Sequence, residues 1–187
     1  MFNNLTIKIF LLVEIAIISL SFDNILKIRS DDYIVYNLAY HELFNNKEAL
    51  LLYDSTFVKK KLTVKSKLRE TIQDSAIKML YLEFNNLNEK SYKLPQEVEK
   101  ETKLKLIHSL DSVTKSSNSP EEFWKNFAIH YPNFKGIAKV SKPAYYKNYS
   151  LVYMEYSINV LNGAGFFFVL EKQKEWKVIY REMVWVS

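Results

Sequence analysis

Three histidines, His41, His108 and His130, are the side chains best suited to acid–base or metal chemistry near neutral pH. Their spacing matches neither H-E-x-x-H nor a comparable ligand pattern. They fall on three different predicted helices, where a surface or boundary position explains each of them. One arrangement stays open, a site assembled in space from His130, His41 and Asp54. Glu121 and Glu122 have the residue types of a glycosidase acid and base, but they stand at a capped helix start, where the backbone dipole accounts for them. No G-x-S-x-G, P-loop or kinase-type set occurs, and Ser66-Lys67 and Ser91-Tyr92-Lys93 lack the context of a lactamase S-x-x-K. The run Asn162-Gly163-Ala164-Gly165 does not lead from a strand into a helix as a phosphate loop would, so its glycines read as a bulge or a close backbone approach. With no cysteine, thiolate zinc sites, cysteine nucleophiles, disulfides and a lipobox lipid anchor are excluded. The sequence therefore assigns no catalytic, cofactor-binding or metal-binding residue.

Two features suit binding. Tyr145, Tyr146, Tyr149, Tyr153 and Tyr156 crowd one predicted hairpin, where exposed rings would stack on sugars or anchor a protein partner, although strand propensity explains them equally well. Alternation places Tyr149, Tyr153 and Ser157 on one face and Tyr146, Met154 and Tyr156 on the other, so some of these rings line the core. The lysine-rich segment Lys59 to Arg69 would meet phosphates, lipid headgroups or acidic glycans, while runs of this kind are more often solvated faces. A net charge of +5 bears on steering rather than on fold, and no specific nucleic-acid partner is expected.

The elements that must position these residues follow from pattern. A chain of 187 residues, 48% hydrophobic and 25% charged, suits a single packed domain rather than a disordered one. Ile9 to Phe22 is an apolar run behind Lys8, interrupted by Glu14, with Ser19 and Ser21 as small residues before a cut at Phe22. Residues 1–22 thus read as a signal peptide or N-terminal hydrophobic segment, too short for a standard bilayer span and the chain's route to membrane contact if uncleaved. The alternative is an N-terminal helix of a cytoplasmic protein. Residues 23–187 are expected to form one α+β domain.

Within it, Ser30 to Phe44 reads as a helix with acids in its first turn, and Glu48 to Phe57 carries a buried strand. Leu68, Ile72, Ala76, Leu80, Phe84 and Leu87 mark a long helix by their three- and four-residue spacing. Glu97 to Leu110 has a weaker helical stripe of Val98, Leu106, Ile107 and Leu110. Ser119, Pro120 and Glu122 predict a capping box opening a helix whose Phe123, Trp124, Phe127 and Tyr131 share a face. Four β-rich runs follow Gly136, separated by turn signals at Lys147-Asn148, Asn162-Gly163 and Gln173-Lys174, and predict an antiparallel meander.

The C-terminal half also carries a recurring pattern: Trp124-x-x-Phe127, Tyr131-Pro132, Gly136-Ile137, Ser141, Leu151-Val152-Tyr153, Gly163-x-Gly165, Trp176-Lys177-Val178 and the final Trp185-Val186-Ser187. Looser matches extend through Tyr33 to Phe44, Asp54-Ser55-Thr56 and Phe84-Asn85-Asn86. In these residues the chain resembles a family of uncharacterised bacterial exported proteins, which implies export and an α+β domain without supplying an activity. It departs from that pattern at Lys142 to Tyr146, where relatives carry a V-G-F-like segment.

The sequence reading is thus an α+β domain, N-terminal helices packed on a C-terminal antiparallel β-meander, exported to the periplasm, envelope or medium. Its expected role is non-enzymatic binding of a protein or glycan partner, with helices covering one face of the sheet. A small hydrolase whose site forms only in the fold, and a structural envelope protein, are the alternatives.

Overall fold

The computed structural model describes residues 31–45, 47–56 and 74–187. The hydrophobic segment of residues 1–22 and the basic segment Lys59 to Arg69 lie outside the described residues, as do Leu68 and Ile72. In chain order the elements are α1 (Asp32–Phe44), β1 (Leu50–Tyr53), α2 (Asp74–Leu87), α3 (Val98–Glu101), β2 (Leu104–Ile107), α4 (Asp111–Lys115), α5 (Pro120–His130), β3 (Gly136–Val140), β4 (Ala144–Tyr146), β5 (Tyr149–Asn159), β6 (Asn162–Lys172) and β7 (Trp176–Val186). The strands form one mixed sheet in the order β2-β1-β3-β5-β6-β7, with β4 on the same edge of β5 as β3. The meander β5-β6-β7 is antiparallel, whereas β2, β1 and β3 run parallel to one another.

Alternation along the strands sends side chains to opposite faces, and helices cover both. Leu50, Leu52, Ala138, Val140, Val152, Met154, Phe168 and Leu170 meet Val35, Tyr36, Ala39 and Tyr40 of α1 and Val98 of α3 in one continuous core. The opposite face is split. Leu151, Tyr153, Phe167 and Val169 pack under Ala76, Ile77, Leu80, Tyr81 and Phe84 of α2. Leu51 and Ile137 pack separately under Val113 of α4 and Phe127 of α5. The expectation that helices cover one face is therefore corrected, because apolar residues at both parities of β1, β5 and β6 require a cover on each side.

The helix expected over Glu97 to Leu110 is also corrected. It ends after one turn, where the Thr102 hydroxyl donates to the Val98 carbonyl at 2.7 Å and accepts the Leu104 amide at 3.1 Å. Leu104 to Ile107 then pair in parallel with β1, and Glu99 accepts the Leu106 amide at 2.6 Å. A four-residue strand with a leucine at each inward position gives the same stripe as a weak helix, which is why spacing misassigned it. Likewise the β5–β6 turn sits at Val160-Leu161 rather than Asn162-Gly163, with Asn159 Oδ1 accepting the Leu161 amide at 2.9 Å.

α5 forms as its cap predicts: the Ser119 side chain accepts the Glu122 amide at 3.2 Å, with Pro120 opening the helix. The reciprocal half of the box shifts by one residue, since Glu122 accepts the Asn118 amide at 2.7 Å.

Where β3 passes into β4, Ser141 and Lys142 are buried and leave the regular ladder. Ser141 donates its amide to the Tyr153 carbonyl and accepts the Tyr153 amide on its hydroxyl, both at 2.9 Å. Asn88 at the end of α2 grips the Lys142 backbone from both sides, at 2.7 Å and 3.0 Å. The side chains of a serine and an asparagine thus replace missing strand partners, as buried backbone groups require.

Candidate functional site

The gap between the two clusters of the split face opens into a cleft of about 250 Å³. Its walls are Phe123 and Trp124 of α5 and Tyr53 of β1, and its floor is Ile137, Lys139, Glu155 and Ser157 of β3 and β5. Tyr156 also borders it, although its ring packs on the opposite face against Phe44 and Phe166. The α5 helix holds this wall by burying Phe127, so that Phe123 and Trp124, one turn earlier, are half-buried at the cleft. The Trp124 ring meets Phe123 edge-on at 5.4 Å and Phe127 at 5.3 Å.

One row of residues crosses the sheet at the floor: Lys139 stands opposite Glu155, Glu155 opposite Gly165, and Gly165 opposite Trp185. The first pair forms an ion pair of 3.7 Å, a cross-strand interaction across neighbouring strands. Lys139 Nζ also lies 5.7 Å from the centre of the Tyr53 ring. The second carboxylate oxygen of Glu155 accepts the Tyr153 hydroxyl at 2.8 Å, and that hydroxyl accepts the Trp185 indole N–H at 2.7 Å. Burial first, and the Glu155 carboxylate second, push the Tyr153 phenol well above its ordinary range, so it stays a neutral donor. Gly165 makes this relay possible: a Cβ there would collide with the Tyr153 hydroxyl and the Trp185 indole. Glu155 is therefore held from one side by a part-buried hydrogen-bonded chain, and its other oxygen pairs with Lys139 at the cleft.

The residues weighed from sequence are dispersed. Asp54, at the end of β1, pairs with His108 just beyond β2, at 3.1 Å, rather than with His41 or His130. His130 engages the Asn126 carbonyl at 2.9 Å, and His41 lies in the last turn of α1. Among the described residues no group of three or more His, Asp or Glu side chains is placed to hold a metal. Glu121 and Glu122 occupy the first turn of α5. The five tyrosines give no common exposed surface. Tyr153 is fully buried, Tyr145 donates to buried Asp32 at 2.6 Å, and Tyr146 packs with Tyr149 rather than with Met154. The two-residue hairpin at Lys147-Asn148 sets Tyr146 directly opposite Tyr149, so the two share a face, and this reverses the expected parity of Tyr146.

Sequence reasoning missed Lys139, Glu155 and Tyr53. A signal existed: Lys139 is the single charge in the run Ile137 to Val140, and Glu155 the single charge in Leu151 to Ser157. A lone charge at an inward parity of an otherwise apolar strand marks a place where the cover is incomplete.

Among the described residues no helix is long and apolar enough to cross a membrane. No family model, curated protein or solved structure matches the chain.

Proposed function

We propose that this protein is an exported, non-enzymatic binding domain whose ligand seats in the cleft between α5 and the β3–β5 floor. The observation that carries the reading is the pairing of an aromatic wall, Trp124, Phe123 and Tyr53, with converging polar groups at Lys139, Glu155 and Ser157. Concave sites of mixed character, mostly apolar with a few fixed polar groups, are where small ligands and chain ends bind. Among the described residues lining the cleft, Glu155 is the one carboxylate, and an acid–base pair for hydrolysis would need a second. Export rests on the hydrophobic segment of residues 1–22 and on the family resemblance.

Two measurements test the reading. Titrating the isotope-labelled full chain with mixtures of small glycosides, polar-aromatic probes and short peptides is expected to move the signals of Tyr53, Trp124, Lys139 and Ser157 together, and no saturable shift at those residues with any of them would sink it. Fractionation of the native cells with mass spectrometry of the mature N-terminus is expected to give a start near Phe22 outside the cytosol, whereas an intact Met1 in the cytosol would remove export.

The Asp54–His108 pair favours a second reading, a hydrolase. Asp54 and His108 follow the carboxyl ends of neighbouring parallel strands, where open sheets carry their chemistry. Against it, the His108 side chain is 91% exposed, so no wall excludes water there. Hydrolysis of chromogenic esters or phosphates that disappears in His108→Ala would establish this alternative, and its absence in the parent chain would remove it.

A further inference from the structure

Resting on the binding reading above, we infer that the cleft takes one neutral pyranose ring of a glycan, stacked on the Trp124 wall with adjacent hydroxyls on Lys139 and Glu155. Three observations select this class.

The first is size. A cleft of about 250 Å³ falls just below the roughly 300–1,000 Å³ of sites that enclose drug-sized molecules. It accommodates one six-membered ring and leaves the rest of a chain outside.

Chemistry gives the second. An ammonium and a carboxylate 3.7 Å apart present donors and an acceptor at a spacing that suits two neighbouring hydroxyls, each able to donate and accept. The aromatic wall covers the C–H face of the same ring, the arrangement in which a pyranose is apolar on its face and polar on its rim.

Charge supplies the third. Aromatic rings beside a carboxylate would also suit an organic cation. Here that place is already held by Lys139, which pairs with Glu155 and approaches Tyr53. A cation in the cleft would meet the Lys139 ammonium and an anion the Glu155 carboxylate, each repelled by one member of the pair, whereas a neutral polyol bonds to both and leaves them paired.

Glu155 is pre-aimed for this contact. Tyr153 and Trp185 occupy its far oxygen through bonds of 2.8 Å and 2.7 Å in a chain, which fixes the carboxylate before any ligand arrives and lowers the cost of ordering it on binding. Tyr153 and Trp185 are thus positioning residues, and Gly165 gives them room.

The test uses the isotope-labelled full chain, titrated separately with the methyl glycosides of glucose, galactose, mannose and N-acetylglucosamine, and with choline and cyclohexanol as controls. At least one glycoside is expected to shift the Trp124 indole signal saturably. Glu155→Gln, which preserves shape, should weaken that binding about tenfold, the effect of losing one charge-assisted hydrogen bond. Trp185→Phe, which removes the indole donor to Tyr153, should weaken it by a smaller factor, and binding unchanged in that variant would remove the positioning role of Trp185. Undiminished sugar binding by a folded Glu155→Gln chain would overturn the assignment. Shifts with choline or cyclohexanol and with no glycoside would leave the binding reading standing and remove the sugar; silence from every probe at Trp124 would remove both.

Discussion

The two faces of the sheet are built from the same strands and differ in what covers them. On one, α1 lies across β1, β3 and β5 to β7, and its Val35, Tyr36, Ala39 and Tyr40 close a core that runs without a break from Leu50 to Trp176. On the other, α2 and the α4–α5 pair cover separate halves, and the row through Lys139 and Glu155 lies between them. The residues change accordingly: apolar side chains at Ala138, Val140 and Met154 on the sealed side give way to Lys139 and Glu155 on the split side. A sheet of one architecture is thus sealed on one surface and open in a cleft on the other, and the division is set by where two helices fail to meet.

The largest test of the sealed face is alkaline. Burial first, and Asp32 second, raise the phenols of Tyr36 and Tyr145, and burial with Glu48 pushes Tyr40 up to about 12. A phenol whose pKa is higher folded than unfolded contributes in full below about pH 10 and loses that contribution as pH rises toward its folded value. The fold is therefore expected to collapse from about pH 10 upward, with the last step of phenolate absorbance and the loss of circular dichroism coinciding. Phenolate absorbance that runs to completion before unfolding would show the sealed face to be open to hydroxide.

Phe168→Ala comes next. Its ring is fully buried beneath α1, and its removal should cost about 3–5 kcal/mol in denaturant unfolding. A value below about 1 kcal/mol would mean that this core relaxes to fill the space.

On the split face Gly165→Ala is the sharper probe. The added methyl meets Tyr153 and Trp185, and overpacking of this kind should cost about 1–3 kcal/mol. The same variant should blunt ligand binding through Glu155; loss of stability with unchanged binding would separate the relay from the cleft. Smallest is Ser119→Ala at the α5 cap, expected to cost about 1 kcal/mol and to loosen the Trp124 wall, read as a faster exchange of the Glu122 amide.

Much of this architecture is legible in the chain because it is local. The Ser119-Pro120 cap, the Ala76-Leu80-Phe84 stripe and the alternation of β5 to β7 each state their structure within a dozen residues. Parallel pairing is not local: Leu104 to Ile107 become a strand because β1, far back in the chain, offers an edge, and nothing beside them says so. The same holds for the site. Tyr53, Trp124, Lys139 and Glu155 are brought together by crossovers, and only the lone charges in β3 and β5 hint at it. Tyrosine density pointed elsewhere, since Tyr145 and Tyr153 answer to buried partners rather than to solvent.

The contacts of α1 bear on how the protein comes into being. Tyr36 donates to the Ser141 carbonyl, Asp32 accepts from Tyr145, and Asp31 and Glu42 pair with Lys172 and Arg181, spanning 105, 113, 141 and 139 residues. On a ribosome α1 emerges before any of those partners exist, and its apolar side must wait until the last strands are made. Nascent chains halted before Trp176 should therefore stay susceptible to protease and attractive to holding chaperones, and acquire resistance in one step when β7 is complete.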